Sequence, residues 1–150
     1  MSIGNILDIA GSGMSAQTLR LNTVASNMAN AETISTRAED AYRARYPVFK
    51  AVVDDVFNDS FAQLNKLDGR QPVAKGGVEV AEIIQSQDEA QRRYQPAHPL
   101  ADEEGFVYLS GVNIVEQMAD MISAQRSFEM NAEVANTAKS MMQRLITLGR

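Results

Sequence analysis

The sequence of 150 residues contains no cysteine, no tryptophan and a single histidine, His98. Without cysteine, neither a disulfide nor a thiolate metal site can form, although this absence leaves the redox compartment open. His98 stands between Ala97 and Pro99 in a segment predicted to be an exposed loop, where an imidazole usually faces solvent. We therefore expect no metal site and no cofactor.

Patterns typical of catalysis are also lacking. Gly11-Ser12-Gly13 lies inside a helical pattern and follows no strand, so it does not fit a phosphate-binding loop. The acidic run 102–104 lacks the regular ligand spacing of a calcium loop and is interpreted as a solvated turn. No Ser, Thr or Lys stands beside an obvious base. These features favour a protein that is not an enzyme.

Long apolar runs and clustered basic residues are scarce. No stretch approaches the roughly 18 apolar residues that a transmembrane helix needs, and the N-terminus has no basic region followed by an apolar one. The formal net charge is -5, whereas phosphate binding requires clustered Lys and Arg. We expect no nucleic-acid partner, no direct membrane insertion and no cleaved signal peptide.

The most regular feature is the stretch 113–148, which contains neither Pro nor Gly. Its apolar residues recur mainly at steps of four and three, which places them on one stripe of an α-helix about 50 Å long. A stripe this narrow favours a second helix packed alongside. Its members are Ile114, Met118, Met121, Phe128, Ala132, Ala135, Ala138, Met142 and Leu145.

The N-terminal residues 2–30 repeat the same rhythm. The glycines in this stretch each cost about 1 kcal/mol relative to Ala in a helix interior, so this helix depends on a partner for its stability. We predict that the two terminal helices pack as an antiparallel coiled coil. The N-terminal stripe comprises Ile3, Leu7, Ala10, Met14, Leu21, Val24 and Met28, with Gln17 as a polar interruption.

The two glutamines predict a helix register. Spacing alone permits shifts by a heptad, but one register places Gln17 opposite Gln125, the polar interruption of the other stripe. Each amide could then bond its partner. In this register Met14 lies opposite Phe128.

The middle of the chain favours β-structure. Alternation predicts strands over Tyr42–Phe49, Val78–Ile84 and Phe106–Leu109, with a weaker candidate at Gln91–Gln95. From Val52 to Leu67 strand and helix patterns compete. The predicted fold class is α+β: residues 1–36 and 112–150 form a discontinuous helical coiled-coil domain, and residues 37–111 form a small β-rich middle domain.

Two terminal motifs resemble those of bacterial flagellar rod and hook proteins. The C-terminal run Ala124–Asn131 is similar to the family's Arg-Ser-aromatic-x-x-Asn pattern, and the internal runs Tyr42–Arg45, Gly77–Val80 and Pro99–Val107 are most similar to C-type proximal-rod subunits. Two segments depart from the family, 53–75 by its length and 111–113 by its sequence. The N-terminal motif is Leu21-Asn22-Thr23-Val24-Ala25-Ser26-Asn27-Met28-Ala29-Asn30-Ala31-Glu32-Thr33.

The resemblance implies a structural subunit of the proximal rod, part of the drive shaft that transmits torque. It also implies export in unfolded form by the flagellar type III export apparatus and assembly in the periplasm. The implied partners are further copies of the chain, other rod proteins and the adapter that links the rod to the membrane ring. An alternative from a different class is a helical adapter or chaperone that binds a partner helix in a groove.

One set of residues is predicted to pack between the helices or between subunits. The polar side chains of the stretches 26–33 and 123–140 are expected to bond across subunit contacts; the alternative is that they only cap helices and face solvent. The set comprises Leu7, Met14, Gln17, Leu21, Val24, Asn27, Met28, Asn30, Thr33, Met118, Met121, Gln125, Arg126, Phe128, Asn131 and Met142.

Overall fold

The computed structural model describes residues 3–52 and 76–148 and has two long helices with short strands between them in the chain. The terminal helices pack together, which confirms the predicted α+β class. The predicted competition between strand and helix after Val52 falls outside the described residues. The elements are α1 (Ile3–Ala29), β1 (Ile34–Ser35), a 3-10 helix (Ala38–Asp40), β2 (Arg45–Val52), β3 (Gly77–Gln85), β4 (Gln91–Tyr94), β5 (Phe106–Leu109) and α2 (Ile114–Leu148).

Local side chains define two helix ends. Asn113 caps α2, because its Oδ1 accepts a hydrogen bond from the backbone N of Val115 at 3.1 Å. At the end of α1, the Nδ2 of Asn30 donates to the carbonyl of Ser26 at 2.8 Å, and Thr33 Oγ1 donates to the carbonyl of Asn30 at 2.7 Å. Each of these carbonyl groups also accepts a hydrogen bond from a backbone N, so the side chains add a second bond at the end of the helix.

The described strands form two small sheets. One has the order β1-β5-β4 and is antiparallel, with Ile34 opposite Leu109 and Tyr94 opposite Phe106. The other pairs β2 with β3. Every strand predicted from the alternation is present, although β2 begins only at Arg45. The two-residue strand β1 has too little sequence for a period-two pattern, and it was not predicted.

The chain divides into two compact units whose limits cut across both long helices. Unit 1 contains the described residues 3–16, 49–52, 76–80 and 127–148. Unit 2 contains residues 17–48 and 81–126. The partition predicted from sequence, with borders after residues 36 and 111, stays a prediction.

Unit 2 has a core of small and aromatic residues. Ala31, Ala44 and Val112 are buried together, and Tyr42 and Tyr46 pack against them. These contacts join the end of α1, the chain leading into β2 and the chain leading into α2. The strand β5 contributes the fully buried Val107 to this unit.

Unit 1 is built mainly from small residues. Ala10 and Ala138 are buried. Gly13 lies so close to Asn131 that an added Cβ would stand 2.8 Å from the side-chain Nδ2. The Oγ of Ser12 accepts a hydrogen bond from the backbone N of Val78 at 3.1 Å and thereby joins α1 to β3.

Candidate helix-packing and assembly site

The most highly connected side chain in unit 2 is that of Asn27, which is fully buried. Its Nδ2 donates to the carbonyl of Arg45 at 2.8 Å and to Oε1 of Gln117 at 2.9 Å. Its Oδ1 accepts from the backbone N of Arg45 at 2.9 Å and from the hydroxyl of Tyr42 at 3.0 Å. The amide thus makes all four hydrogen bonds available to it. One side chain fixes α1 to both β2 and α2, and we call this group the Asn27 network.

Gln117 extends the Asn27 network. Its side chain is fully buried, and its Nε2 donates to the hydroxyl of Tyr46 at 3.2 Å. Burial raises the pKa of the Tyr46 phenol, and the nearby Glu116 carboxylate raises it further. The phenol is therefore protonated at neutral pH and the network carries no formal charge.

Several polar side chains of the N-terminal motif form hydrogen bonds within the chain. Asn27 has no remaining donor or acceptor, while Asn30 and Thr33 bond the turn after α1. Ser110 donates a hydrogen bond to the carbonyl of Ala31 and joins that turn to the end of β5. In this conformation Asn27 cannot bond a neighbouring subunit, contrary to the expectation from sequence. Its role is to position three elements of its own subunit.

Two contacts in unit 2 establish the relative direction of α1 and α2. Arg20 forms a salt bridge with Asp120 at 2.6 Å, and Asn27 bonds Gln117. The partner number falls as the α1 number rises, so the helices are antiparallel here. The predicted register places Arg20 opposite Ile122, two residues after its observed partner Asp120. It places Asn27 opposite Val115, two residues before its observed partner Gln117. The predicted register therefore agrees to within two residues in this unit.

The predicted apolar stripe of α2 is exposed at both ends, at Ile114 and Met118 and again at Met142 and Leu145. Ile114 and Met118 are 39% and 51% exposed, whereas Gln117 and Ala124 are fully buried. Together with the half-buried Met121, the buried positions follow steps of four and three. A polar residue occupies one of these positions, and a pattern built on hydrophobicity alone passed over it. One heptad step back from Ala124 leads to Gln117.

The predicted hydrogen bond from the Gln125 amide to Oε1 of Gln17 does not form among the described residues. Gln125 is exposed, and in the described part of the chain the buried Oε1 of Gln17 accepts no hydrogen bond. A buried acceptor without a partner costs about 1 to 3 kcal/mol. The register is thus held by Asn27 and Gln117, and Gln17 is a source of destabilisation.

The remaining candidate residues differ in exposure. Val24 is buried in unit 2, and Arg126 and Met142 are exposed. Because Met118, Arg126 and Met142 are exposed, they do not pack between the two helices of one subunit. That they contact a neighbouring subunit stays a prediction. The half-buried members are Leu7, Met14, Leu21, Met28, Met121, Phe128 and Asn131.

Large apolar side chains are exposed along α2. In unit 2, Val115 and Ile122 are 75% and 51% exposed. In unit 1, Met141, Leu145 and Ile146 are 53%, 59% and 62% exposed within two helical turns. Within the described residues, neither helix is long and apolar enough to span a bilayer.

Comparison with known proteins identifies the family. A family model described as "Flagella basal body rod protein" matches residues 7–34, and one described as "Flagellar basal body rod FlgEFG protein C-terminal" matches residues 103–148. A protein from Escherichia coli O6:H1 named "Flagellar basal-body rod protein FlgC" is 42% identical over 150 residues, with the full length of both chains covered. The chain belongs to the FlgC family of flagellar basal-body rod proteins.

Other FlgC proteins extend this comparison. The protein from Salmonella typhimurium is 41% identical over the full length of both chains. The one from Borreliella burgdorferi is 33% identical, covering 99% of this chain and 98% of its own length. A rod protein of the FlgC family is a structural subunit that assembles with other rod proteins, and the comparisons do not favour a helical adapter or chaperone.

Proposed function

We propose that the chain is a subunit of the proximal rod, where it helps to transmit torque along the periplasmic drive shaft. Its neighbours are further copies of the chain, other rod proteins and the adapter that joins the rod to the membrane ring. The flagellar export apparatus delivers it without cleavage of a signal peptide. Support comes from the full-length similarity to FlgC proteins of three genera.

The exposed apolar surface of α2 is the structural observation that carries this proposal. Single exposed apolar residues are ordinary, but Met141, Leu145 and Ile146 lie within two turns of one helix. Contiguous apolar surface of this kind is typical of protein contacts. Burial against neighbouring subunits would remove it from water and favour assembly.

Electron microscopy of isolated basal bodies tests the assignment to the proximal rod. A strain without the gene is expected to retain the membrane ring and to lack the rod and all more distal parts. Complementation with the intact gene should restore them. Complete rods in the deletion strain would contradict the proposal.

A truncation tests the contribution of the apolar end of α2. Removing residues 141–150 deletes the exposed apolar cluster and leaves every residue of unit 2 in place. We expect the truncated protein to be exported but absent from purified basal bodies. As a control, replacing only Thr147 by Ala should leave incorporation unchanged, because Thr147 bonds only a nearby backbone carbonyl at 2.9 Å. Normal incorporation of the truncated chain would show that this cluster is not a subunit contact.

Mass spectrometry tests the route of export. The protein recovered from assembled rods is expected to begin at Met1, or at Ser2 after removal of the initiator methionine. A mature N-terminus further along the chain would show that a leader is cleaved.

A further inference from the structure

An open cleft in unit 2 contains two arginines. Its volume is about 450 Å³, and we call it the arginine cleft. It is lined by Glu39, Ala41, Tyr42, Arg43, Arg45 and Gln85.

The backbone holds the two guanidinium groups at this cleft. In extended chain, successive side chains point to opposite faces. Ala44 is buried in the core, whereas Arg43 and Arg45 are exposed. The Asn27 amide bonds both the N and the O of Arg45, so the base of this side chain is fixed before any ligand arrives. A fixed base lowers the entropy cost of binding.

The arginine cleft has an unbalanced positive charge. Salt bridges in the described part of the chain involve Arg20 and Arg92, and neither Arg43 nor Arg45 takes part in one. Glu39 is the only acidic residue in the lining. The chain as a whole has a net charge of -5, so these arginines stand out against an acidic protein. A planar guanidinium matches a carboxylate in a bidentate pair. The cleft therefore suits a carboxylate from outside the subunit.

The chain itself presents a carboxylate of this kind at the turn before β5. The Oδ1 of Asp102 accepts hydrogen bonds from the N of Glu104 at 3.0 Å and from the N of Phe106 at 2.7 Å. Glu104 forms a salt bridge with Arg92 at 2.8 Å. Gly105, with φ of 81°, completes the turn in a conformation that other residues rarely adopt. Between these fixed groups Glu103 is exposed, and no hydrogen bond is found for its side chain among the described residues.

We propose that the arginine cleft of one copy binds the Glu103 turn of a second copy. This contact rests on the proposed function, because it assigns one of the contacts between neighbouring copies in the rod. Arg43 and Arg45 are the recognising groups, and the Glu103 carboxylate is the group recognised. Two guanidiniums facing one carboxylate give the contact a defined position as well as charge complementarity.

Cysteine crosslinking tests the contact directly, since the chain has no cysteine of its own. One copy carries Arg43→Cys, and a second, differently tagged copy in the same cells carries Glu103→Cys. Oxidised basal bodies are expected to contain a crosslinked dimer that bears both tags. A matched pair with Arg93→Cys in place of Arg43→Cys should give none. Absence of the mixed dimer from fully assembled rods would overturn the proposal.

Charge reversal supplies a second, independent test. Arg43→Glu should lose motility, because it sets one carboxylate against another, while Arg93→Glu makes the same charge change on β4 and should swim normally. Adding Glu103→Arg to Arg43→Glu should restore motility. Since Arg43 is exposed, both variants should keep the thermal midpoint of the parent protein.

The outcomes separate this contact from the proposed function. Wild-type motility of Arg43→Glu would overturn the contact and leave the rod assignment intact. Loss of motility without restoration by Glu103→Arg would show that another protein fills the cleft, and this too overturns the proposal. Complete rods in a strain without the gene would instead contradict the proposed function itself.

Discussion

The contacts between α1 and α2 differ in chemistry between the two units. In unit 2 the helices are joined by the bonded amides of Asn27 and Gln117 and by the salt bridge from Arg20 to Asp120. In unit 1, buried alanines and the close approach of Gly13 to Asn131 take their place. Small residues allow close approach without fixing a register, because alanines shifted by a heptad pack almost equally well. Directional hydrogen bonds lose their partners when one helix slides.

This difference suggests a division of roles. The Asn27 network ties the helices of unit 2 to β2 and specifies a single arrangement. In the described residues of unit 1 the contacts between the helices come from small residues, and apolar side chains such as Met130 and Val134 are 64% and 47% exposed. We infer that the Asn27 network fixes the structure of unit 2, and that the exposed apolar side chains of α2 in unit 1, together with the arginine cleft of unit 2, provide surface for neighbours.

The largest expected effect follows from Asn27→Ala. The change removes all four hydrogen bonds of the amide. The backbone N and O of Arg45 and the Oε1 of Gln117 then lose the partner that Asn27 provides. Breaking a buried polar network of this size should lower the free energy of unfolding by about 3 to 5 kcal/mol. Urea denaturation followed by circular dichroism measures it.

Asn30→Ala is the matched control for that change. It removes an amide of the same size three residues further along the chain, directly after α1, where its side chain makes a single bond to the helix end. Loss of a capping interaction costs about 0.5 to 2 kcal/mol. Equal losses for the two variants would show that the Asn27 network does not hold unit 2 together.

The next largest effect is expected for Phe128→Ala in unit 1. Full burial of a Phe would give a loss of about 3 to 5 kcal/mol. Because Phe128 is only half-buried in the subunit, we expect about 2 to 3 kcal/mol, with export retained and motility lost. Swimming assays and detection of the exported protein measure both. Phe128→Leu keeps most of the apolar area and should still swim; normal swimming of the Ala variant would mean that assembly does not need this ring.

The sequence predicts the fold better than the interface. Both helices and the longer strands follow from periodicity, because each was encoded by several residues in a row. Gln117 was missed because its apolar neighbour Met118 fits the stripe when only hydrophobicity is considered. Its burial depends on Asn27, which is 90 residues away in sequence. A pattern within one helix contains no information about such a partner.

The antiparallel direction was predicted correctly, although two facing stripes would also fit a parallel pair. The salt bridge from Arg20 to Asp120 and the bond from Asn27 to Gln117 establish the direction. The exact partners were not predicted: Arg20 with Asp120 and Asn27 with Gln117 each lie two residues from the register that the paired glutamines favoured. The arginine cleft was equally hidden, because the strand signal from Tyr42 to Phe49 gives the face of each arginine but not what lies beside it.

A comparison of two glycines sharpens the contrast within unit 1. Gly11→Ala adds a methyl group with no neighbour within 4 Å, so it should stabilise α1 by about 0.5 to 1 kcal/mol through helix propensity. Gly13→Ala gains the same propensity but forces the side chain of Asn131 to move. Overpacking costs about 1 to 3 kcal/mol, and we expect net destabilisation. Thermal unfolding of both variants measures the difference; equal stabilisation would show that the helices do not approach closely at Gly13.

A gain in stability of similar size to that from Gly11→Ala is expected from Gln17→Met. Methionine keeps the length and helix propensity of glutamine and removes the buried Oε1 that accepts no bond within the described residues. We expect the free energy of unfolding to rise by about 1 kcal/mol, since the variant no longer buries an unsatisfied acceptor. Gln125→Met makes the same chemical change at an exposed position and should alter stability by less than about 0.5 kcal/mol.

The double variant then decides between the structure and the register proposed from sequence. If the two glutamines do not bond each other, their effects on the free energy of unfolding add. A coupling of about 1 kcal/mol between them would instead mean that the amides pair as the sequence pattern predicted.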